Sequence, residues 1–273
     1  DCYWGAQVIV SLFGAIPFVG EGLAEWIRGD YVISDATLNR FFAFHVILLP
    51  LLLALLVYLH IVALHKVGSN NPDGVEIKKQ KDADGKPLDG VPFHPYYTVK
   101  DTFGVGMFLT VYLAIVFFLP ELGGWFLEKD NFNPADILQT PPDIVPLWYL
   151  TPYYSILRAV TFEWLPGGAK LWGVIAMGAA IMIFFFLPWL DRSRVRSIRY
   201  RGWMYKTMLT LFAVTFVMLG YLGTKNPGHV DLIWFKNVTW AQIGLVIYFA
   251  FFLLMPIYTR LDKTYAEPDR LTK

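Results

Sequence analysis

The sequence predicts an all-α integral membrane protein. It reads as a bundle of five transmembrane helices, with short surface helices in the loops on the outer side. Three observations predict this. Apolar residues make up 56% of the 273 and charged residues only 16%, whereas a soluble domain carries about 25% charged residues. Five stretches near spanning length contain no Asp, Glu, Lys or Arg: 41–64, 103–120, 171–190, 207–223 and 239–258. A spanning helix needs about 20 mostly apolar residues, and helix is the only conformation that satisfies its own backbone in lipid. Finally, the loops between these stretches alternate between rich and poor in basic residues.

Composition also excludes several classes. Lys plus Arg is 23 and Asp plus Glu is 22, so no basic field exists to bind nucleic acid. The single cysteine, Cys2, excludes an internal disulfide, a Cys-based zinc site and a CxxCH haem attachment.

The elements follow in order. Residues 5–16 are apolar but too short to span, and Pro17 and Gly20 interrupt them; they read as a helix on the outer surface or against the bundle. The chain opens without Met or a signal peptide, and is expected to be part of a longer protein. The loop 66–102 carries Lys66, Lys78, Lys79, Lys81, Lys86 and Lys100. The loop 191–206 carries Arg192, Arg194, Arg196, Arg199, Arg201 and Lys206. The long loop 121–170 carries only Lys129, Arg158 and Lys170. The positive-inside rule therefore puts 66–102, 191–206 and the C-terminus in the cytoplasm. Trp125, Trp164, Trp172, Trp189, Trp203 and Trp240 lie near span ends, as an aromatic belt requires. Residues 75–90 read as a solvated loop, and 192–201 as a basic run that fixes topology and contacts anionic lipid. No internal repeat is visible. A secondary transporter is disfavoured, because the spans hold no acids and no inverted repeat.

His45 and His60 lie inside the first span. An ionisable residue at that depth points to function. On this helix alone two readings stand: neutral imidazoles bonded to neighbouring helices, or ligands of redox centres. Fifteen residues of α-helix give roughly 22 Å of rise and leave the two rings roughly 60° apart around the axis. Pro50, between them, is positioned to bend the helix. That spacing suits two redox centres stacked across a bilayer, and imidazole is a good ligand of haem iron. His65, His94 and His229 lie outside the spans, so this chain offers at most one axial ligand to each of two haems.

RFFAFH (40–45), HIVALHKVGSNNPDG (60–74) and PFHPYYTVKD (92–101) resemble cytochrome b of the quinol–cytochrome c reductase, the cytochrome bc complex. So do WGAQVIVSLFGAIPFVG (4–20), PLWYLTPYYSILRA (146–159) and LPWLDRS (187–193). The resemblance runs in order along nearly the whole chain. It implies the last five of the family's eight transmembrane helices, with 1–66 closing the haem-binding bundle, 67–102 a cytoplasmic loop and 103–273 the C-terminal domain. It implies His45 as ligand of the low-potential haem b and His60 of the high-potential one, each opposed by a histidine from a missing N-terminal part. Fourteen residues separate the two, one more than in mitochondrial homologues, which resembles the bacterial type and implies a multi-pass protein of a bacterial inner membrane.

The resemblance further implies quinol oxidation at the outer surface, in a slot lined by Trp4, Gly5, Ile9, Pro146, Leu147, Trp148, Tyr149 and Tyr154. Read without it, these aromatics are belt residues. Gly5 matches a glycine that lets the quinol ring approach the backbone. The family motif here usually carries an acid, whereas this chain has Leu147, which accepts neither proton nor hydrogen bond. Tyr149, Tyr154, Asp143, Glu163 or water are the candidates to replace it, with Tyr149 and Tyr154 assigned as catalytic. The first proton is expected to leave through the iron–sulfur protein and the second by a water chain. His65, Ser69, Lys100 and Asp101 are implied around the inner quinone. The alternatives there are a snorkelling interfacial His65 and a helix N-cap at Asp101. His229 and Cys2 receive no role. Implied partners are a Rieske-type iron–sulfur protein, a cytochrome c1-type subunit, a second copy of the complex and membrane lipid. The alternative function is a non-catalytic or split membrane subunit of a related haem–quinone complex.

Overall fold

A computed structural model describes residues 2–124, 132–137 and 144–271. Trp125, Lys129 and Asp143 lie outside them. Three short helices come first: α1 (Cys2–Phe13), α2 (Gly20–Arg28) and α3 (Asp35–Ala43). Trp4, Ala6 and Val10 of α1, Ala24 of α2 and Thr37 of α3 are buried, and the three helices pack together. Polar caps set their angles. The Thr37 hydroxyl donates to the Arg28 carbonyl at 2.8 Å and accepts from Ser34 N–H at 3.2 Å, while Arg40 donates to the Trp26 carbonyl at 2.7 Å. These bonds satisfy backbone groups that helix ends leave open.

From α3 the chain runs on through a π-turn (Phe44–Leu48) into α4 (Leu49–Val67). Asp35–Val67 is a single span of 33 residues. It extends the expected 41–64 at both ends, because the charged Asp35 and Arg40 ride on a helix that continues out of the membrane. The second span, Phe93–Phe118, starts with a π-turn (Phe93–Tyr97) and continues as α5 (Thr98–Phe118). It begins ten residues before the expected start; its first turns carry Lys100 and Asp101. After α6 (Thr151–Ala159), a short helix of the outer loop, the third span is Gly168–Leu190. It comprises α7 (Gly168–Met182), a 3-10 turn and α8 (Leu187–Leu190). The fourth is α9 (Trp203–Gly223). The fifth is α10 (Asn237–Leu253) and α11 (Met255–Leu261), bent by 58°. Pro256, in the first turn of α11, marks that bend. The described residues thus hold four helices long and apolar enough to span, or five with the bent pair as one.

The core sits in the C-terminal half. Ile156, Leu219, Tyr248 and Phe252 are fully buried where α6, α7, α9 and α10 meet. Phe212 stacks on Phe251 at 4.5 Å between ring centres and meets Phe252 edge-on at 5.3 Å, geometries aromatic rings prefer. The Tyr248 hydroxyl donates to the Ala180 carbonyl at 2.8 Å.

A polar knot between residues 73–76 and 191–201 joins the halves. Arg199 pairs with Asp73 and Arg196 with Glu76, both at 2.7 Å. The Tyr200 hydroxyl donates to Asp73 at 2.9 Å, and Glu267 accepts the backbone N–H groups of Arg196 and Ser197. Arg201 pairs with Asp191 at 2.7 Å. The basic run expected to face lipid thus directs three of its arginines to carboxylates of this chain.

Candidate functional site

His45 and His60 share the Asp35–Val67 span, and neither ring is covered. The most apolar window of that helix has no buried residue, and both histidines are exposed. Neither makes a hydrogen bond among the described residues. The interval between them is not uniform α-helix. His45 lies in the π-turn, where Leu49 N–H reaches back five residues to the Phe44 carbonyl. Pro50 follows in the first turn of α4. It has no N–H to give, and its ring would crowd the carbonyl four residues back; widening the turn relieves both. A π-turn houses one extra residue without shifting the flanking α-helical register. The fifteen-residue interval therefore acts as fourteen, and the rings differ by roughly 40° in the opposite sense to the expected 60°. The donor set fits haem: two imidazoles, open on faces that nothing else in the described chain covers, near opposite ends of one apolar span.

The outer residues fall into two packing groups. Gly5 and Ile9 lie one turn apart on the open face of α1. A Cβ at Gly5 would meet nothing within 4 Å, and Ile9 is half exposed. Trp4 is on the other face, buried at 2% exposure and edge-on to Tyr3. Residues 147–150 form a turn closed by Leu150 N–H to the Leu147 carbonyl at 2.8 Å, and the Thr151 hydroxyl donates to the Trp148 carbonyl at 2.7 Å. That turn holds Leu147, Trp148 and Tyr149 exposed at its tip, Trp148 edge-on to Tyr149 at 5.6 Å. Pro146 is half-buried just before it. Tyr154, in α6, is half-buried with the Arg158 guanidinium 4.2 Å above its ring. Burial pushes the neighbouring Tyr153 phenol up from its ordinary value, so Tyr153 holds its proton. Glu163, a candidate proton acceptor, instead accepts Ala169 N–H at 3.1 Å at the start of α7. Asp143 lies outside the described residues.

On the inner side, His65 is exposed in the last turn of α4. Gly68 (φ +91°) ends that helix, and exposed Ser69 follows. Lys100 and Asp101 are exposed in the first turns of α5, with the Lys100 ammonium 5.7 Å from the Tyr97 ring centre. Asp101 is not an N-cap. Tyr97 holds that position, and Asp101 lies inside the first turn, where its charge complements the helix dipole. The four residues share one membrane side by topology; no described hydrogen bond or ion pair joins them.

Sequence reasoning missed Arg158. It donates to the Leu222 and Gly223 carbonyls at 3.0 and 2.8 Å, capping the C-terminus of α9 while covering Tyr154. A basic residue four positions after an aromatic on one helix was the available signal. Among the described residues, no three His, Cys, Asp or Glu side chains cluster to hold a metal.

Residues 2–140 match the family model described as cytochrome b(N-terminal)/b6/petB, and residues 134–249 match cytochrome b(C-terminal)/b6/petD. The chain belongs to the cytochrome b family. It is 56% identical to a cytochrome b of Allochromatium vinosum over 99% of this chain and 64% of that protein. It is 42% identical to a cytochrome b of Rickettsia prowazekii over 98% and 62%. A chain of a hyperthermophilic respiratory Complex III superposes with a TM-score of 0.78 at 34% identity, over 95% of this chain and 63% of that one. The chain thus spans a little under two thirds of these relatives. Its spanning helices and bacterial cytochrome b relatives make it a multi-pass protein of a bacterial inner membrane.

Proposed function

We propose that the chain is the cytochrome b subunit of a respiratory quinol–cytochrome c oxidoreductase, oxidising quinol outside, reducing quinone inside and contributing to proton translocation. The observation that carries this reading is one apolar span with two uncovered imidazoles, about 22 Å apart along its axis. His45 and His60 would each hold one of two b haems through a ring nitrogen, the low-potential one at His45 and the high-potential one at His60. Bound haem supplies one-electron carriage between the two surfaces.

At the outer surface, Gly5 leaves room for a quinol ring against α1, while Ile9, Pro146, Leu147 and Trp148 wall the slot. Trp4 supports it from behind, packed in the α1–α3 core. Leu147 gives the quinol no acceptor, so the hydroxyls of Tyr149 and Tyr154 orient it and relay its protons. Tyr154 is held for this by Arg158. At the inner surface, His65 and Asp101 deliver protons to the quinone, with Lys100 and Ser69 beside them. In this reading 1–66 closes the haem bundle, 67–102 is the cytoplasmic loop and 103–273 the C-terminal domain. A Rieske-type iron–sulfur protein and a cytochrome c1-type subunit receive the electrons that leave outside, within a dimeric complex.

The test is a reduced-minus-oxidised optical spectrum of the intact complex with a redox titration, set against His45→Leu and His60→Leu. Two b-type components, with a different one lost in each variant, are expected. A spectrum unchanged by both substitutions would sink the ligand assignment and leave a non-catalytic membrane subunit.

A further inference from the structure

Lys78 is remote from α4 in sequence, yet its side chain returns to the end of that helix. The chain turns back after Ser69. Asn71 closes the turn: its amide donates to the Val75 carbonyl at 2.7 Å, and its side-chain oxygen accepts the backbone N–H groups of Asp73 and Val75 at 3.2 and 3.1 Å. The knot pins the same turn, through Asp73 to Arg199 and Tyr200 and through the Ser197 hydroxyl to the Pro72 carbonyl. Lys78 leaves the turn just after Glu76 and folds over Gly68. A Cβ at Gly68 would stand 2.9 Å from Lys78 Cε and 3.0 Å from Nζ. So close an approach needs the glycine that stands there.

The end of α4 gives the ammonium a reason to rest there. The last carbonyls of a helix carry partial negative charge, which favours a cation. Gly68 N–H closes the final turn on the Leu64 carbonyl at 2.6 Å. An ammonium has three donors, and that of Lys78 makes no hydrogen bond or ion pair among the described residues. The carboxylate it acts on is Glu76, which Arg196 holds first and Lys78 influences only weakly through space. The side chain is exposed. A cation with open donors therefore stands next to Ser69 and one helical turn beyond His65.

We propose that Lys78 is a further binding residue of the inner quinone site, its ammonium donating to a quinone carbonyl oxygen. This rests on the reading that His65, Ser69, Lys100 and Asp101 border that site. A quinone oxygen becomes more negative as electrons arrive, and a fixed donor cation is worth more at that point than before. Lys78 keeps its own proton; the two protons that reduction consumes pass by His65 and Asp101. Charge and donors are what it supplies, so arginine can replace it and methionine cannot. The 71–76 turn and its knot hold the ammonium in place, which gives that turn a part in quinone binding as well as in joining the halves.

The test is lysine footprinting on the intact complex, with an amine-acylating reagent and mass spectrometry. Decylubiquinone and, separately, a short-chain menaquinone are titrated in. With at least one of them Lys78 and Lys100 should be protected together, while exposed Lys79, its neighbour, stays reactive. In Lys78→Met the quinone concentration that half-protects Lys100 should rise roughly tenfold, the scale of one hydrogen bond to a charged group. Lys78→Arg should restore it, and Lys79→Met should leave it unchanged. Protection of Lys100 without Lys78 would overturn the proposal and leave the rest of the site standing. Equal protection of Lys78 and Lys79 would overturn it as general coverage of the loop. A lower unfolding midpoint in Lys78→Met with quinone affinity unchanged would reduce Lys78 to a cap on α4. Protection of neither Lys78 nor Lys100 by either quinone would remove the inner site itself, and this proposal with it.

Discussion

Both halves of this chain carry long apolar helices, yet only in the C-terminal half are those helices packed on one another. The windows of Asp35–Val67 and Phe93–Phe118 have no buried residue, although Asp35–Val67 is the most apolar span. In the C-terminal half, α6, α7, α9 and α10 bury Ile156, Ala180, Leu219 and Tyr248 completely. Glycines mark the close approaches in the packed half. A Cβ at Gly173 would come within 2.5 Å of the Leu157 carbonyl, one at Gly244 within 2.8 Å of Leu219, and one at Gly223 would overlap the Thr151 carbonyl. At Gly104 and Gly106 of α5 it would meet nothing within 4 Å. Lipid tails are as apolar as leucine, so close backbone approach rather than hydropathy joins helices in a membrane. The open half keeps its faces for other occupants, and it is the half that carries both histidines.

The largest effect expected from this contrast is in the open half. Deleting Ile47 removes one residue from the π-turn and leaves fourteen α-helical steps between His45 and His60. Both b-type components should survive in the difference spectrum. Deleting Leu53 instead keeps the π-turn and rotates one ring by roughly 100° relative to the other, and one component should be lost. Loss in both deletions would show that the π-turn does not absorb the extra residue.

In the packed half, Arg158→Ala removes two charge-assisted bonds from the end of α9. A cost of about 3 kcal/mol is expected from the loss of such bonds, read as a lower unfolding midpoint of the intact complex, with partial recovery in Arg158→Lys. Gly223→Ala should cost about 1–3 kcal/mol by overpacking against the Thr151 backbone. Gly104→Ala, made in parallel, should leave the unfolding of the C-terminal half unchanged. Equal losses at Gly223 and Gly104 would erase the contrast.

The smallest effect concerns the knot between the halves. The Arg196 hydrogen bond, and then its charge, hold the Glu76 carboxyl below its ordinary value. A carboxyl lowered on folding adds stability that is complete above its ordinary value and lost as pH falls through the lowered one. The Glu76 side chain is about one-third accessible and its partner Arg196 is exposed, so solvent screens the pair and the effect is small. A shallow fall in midpoint below about pH 4.3 is expected, and Glu76→Gln should remove it.

Much of this was legible beforehand, for identifiable reasons. All five predicted stretches fall on helices, but for Leu119 and Pro120 at one end and the bend at Leu254, because lipid leaves no other conformation for an uncharged run of that length. Their ends were less legible. Asp35, Arg40, Lys100 and Asp101 ride on helices that outrun the hydrocarbon, and no charge count reveals that. Asp101 read as a cap only because the helix was assumed to begin at the last charge. Arg192–201 read as a lipid-facing run because its partners Asp73, Glu76 and Asp191 are distant in sequence or masked by neighbouring arginines. Arg158 passed unnoticed because its acceptors are backbone carbonyls more than sixty residues away.

Sequence alone determined the spans, their number when the bent pair counts as one, and the two imidazoles on a single helix. These depend on local composition and spacing, which one dimension contains. Only the tertiary structure decided that the interval between those imidazoles holds a π-turn, that Trp4 packs inward while Gly5 and Ile9 stay open, and that Arg201 is buried between Asp191 and the Tyr205 ring. Each depends on which backbone approaches which, a relation set by packing between segments remote in sequence.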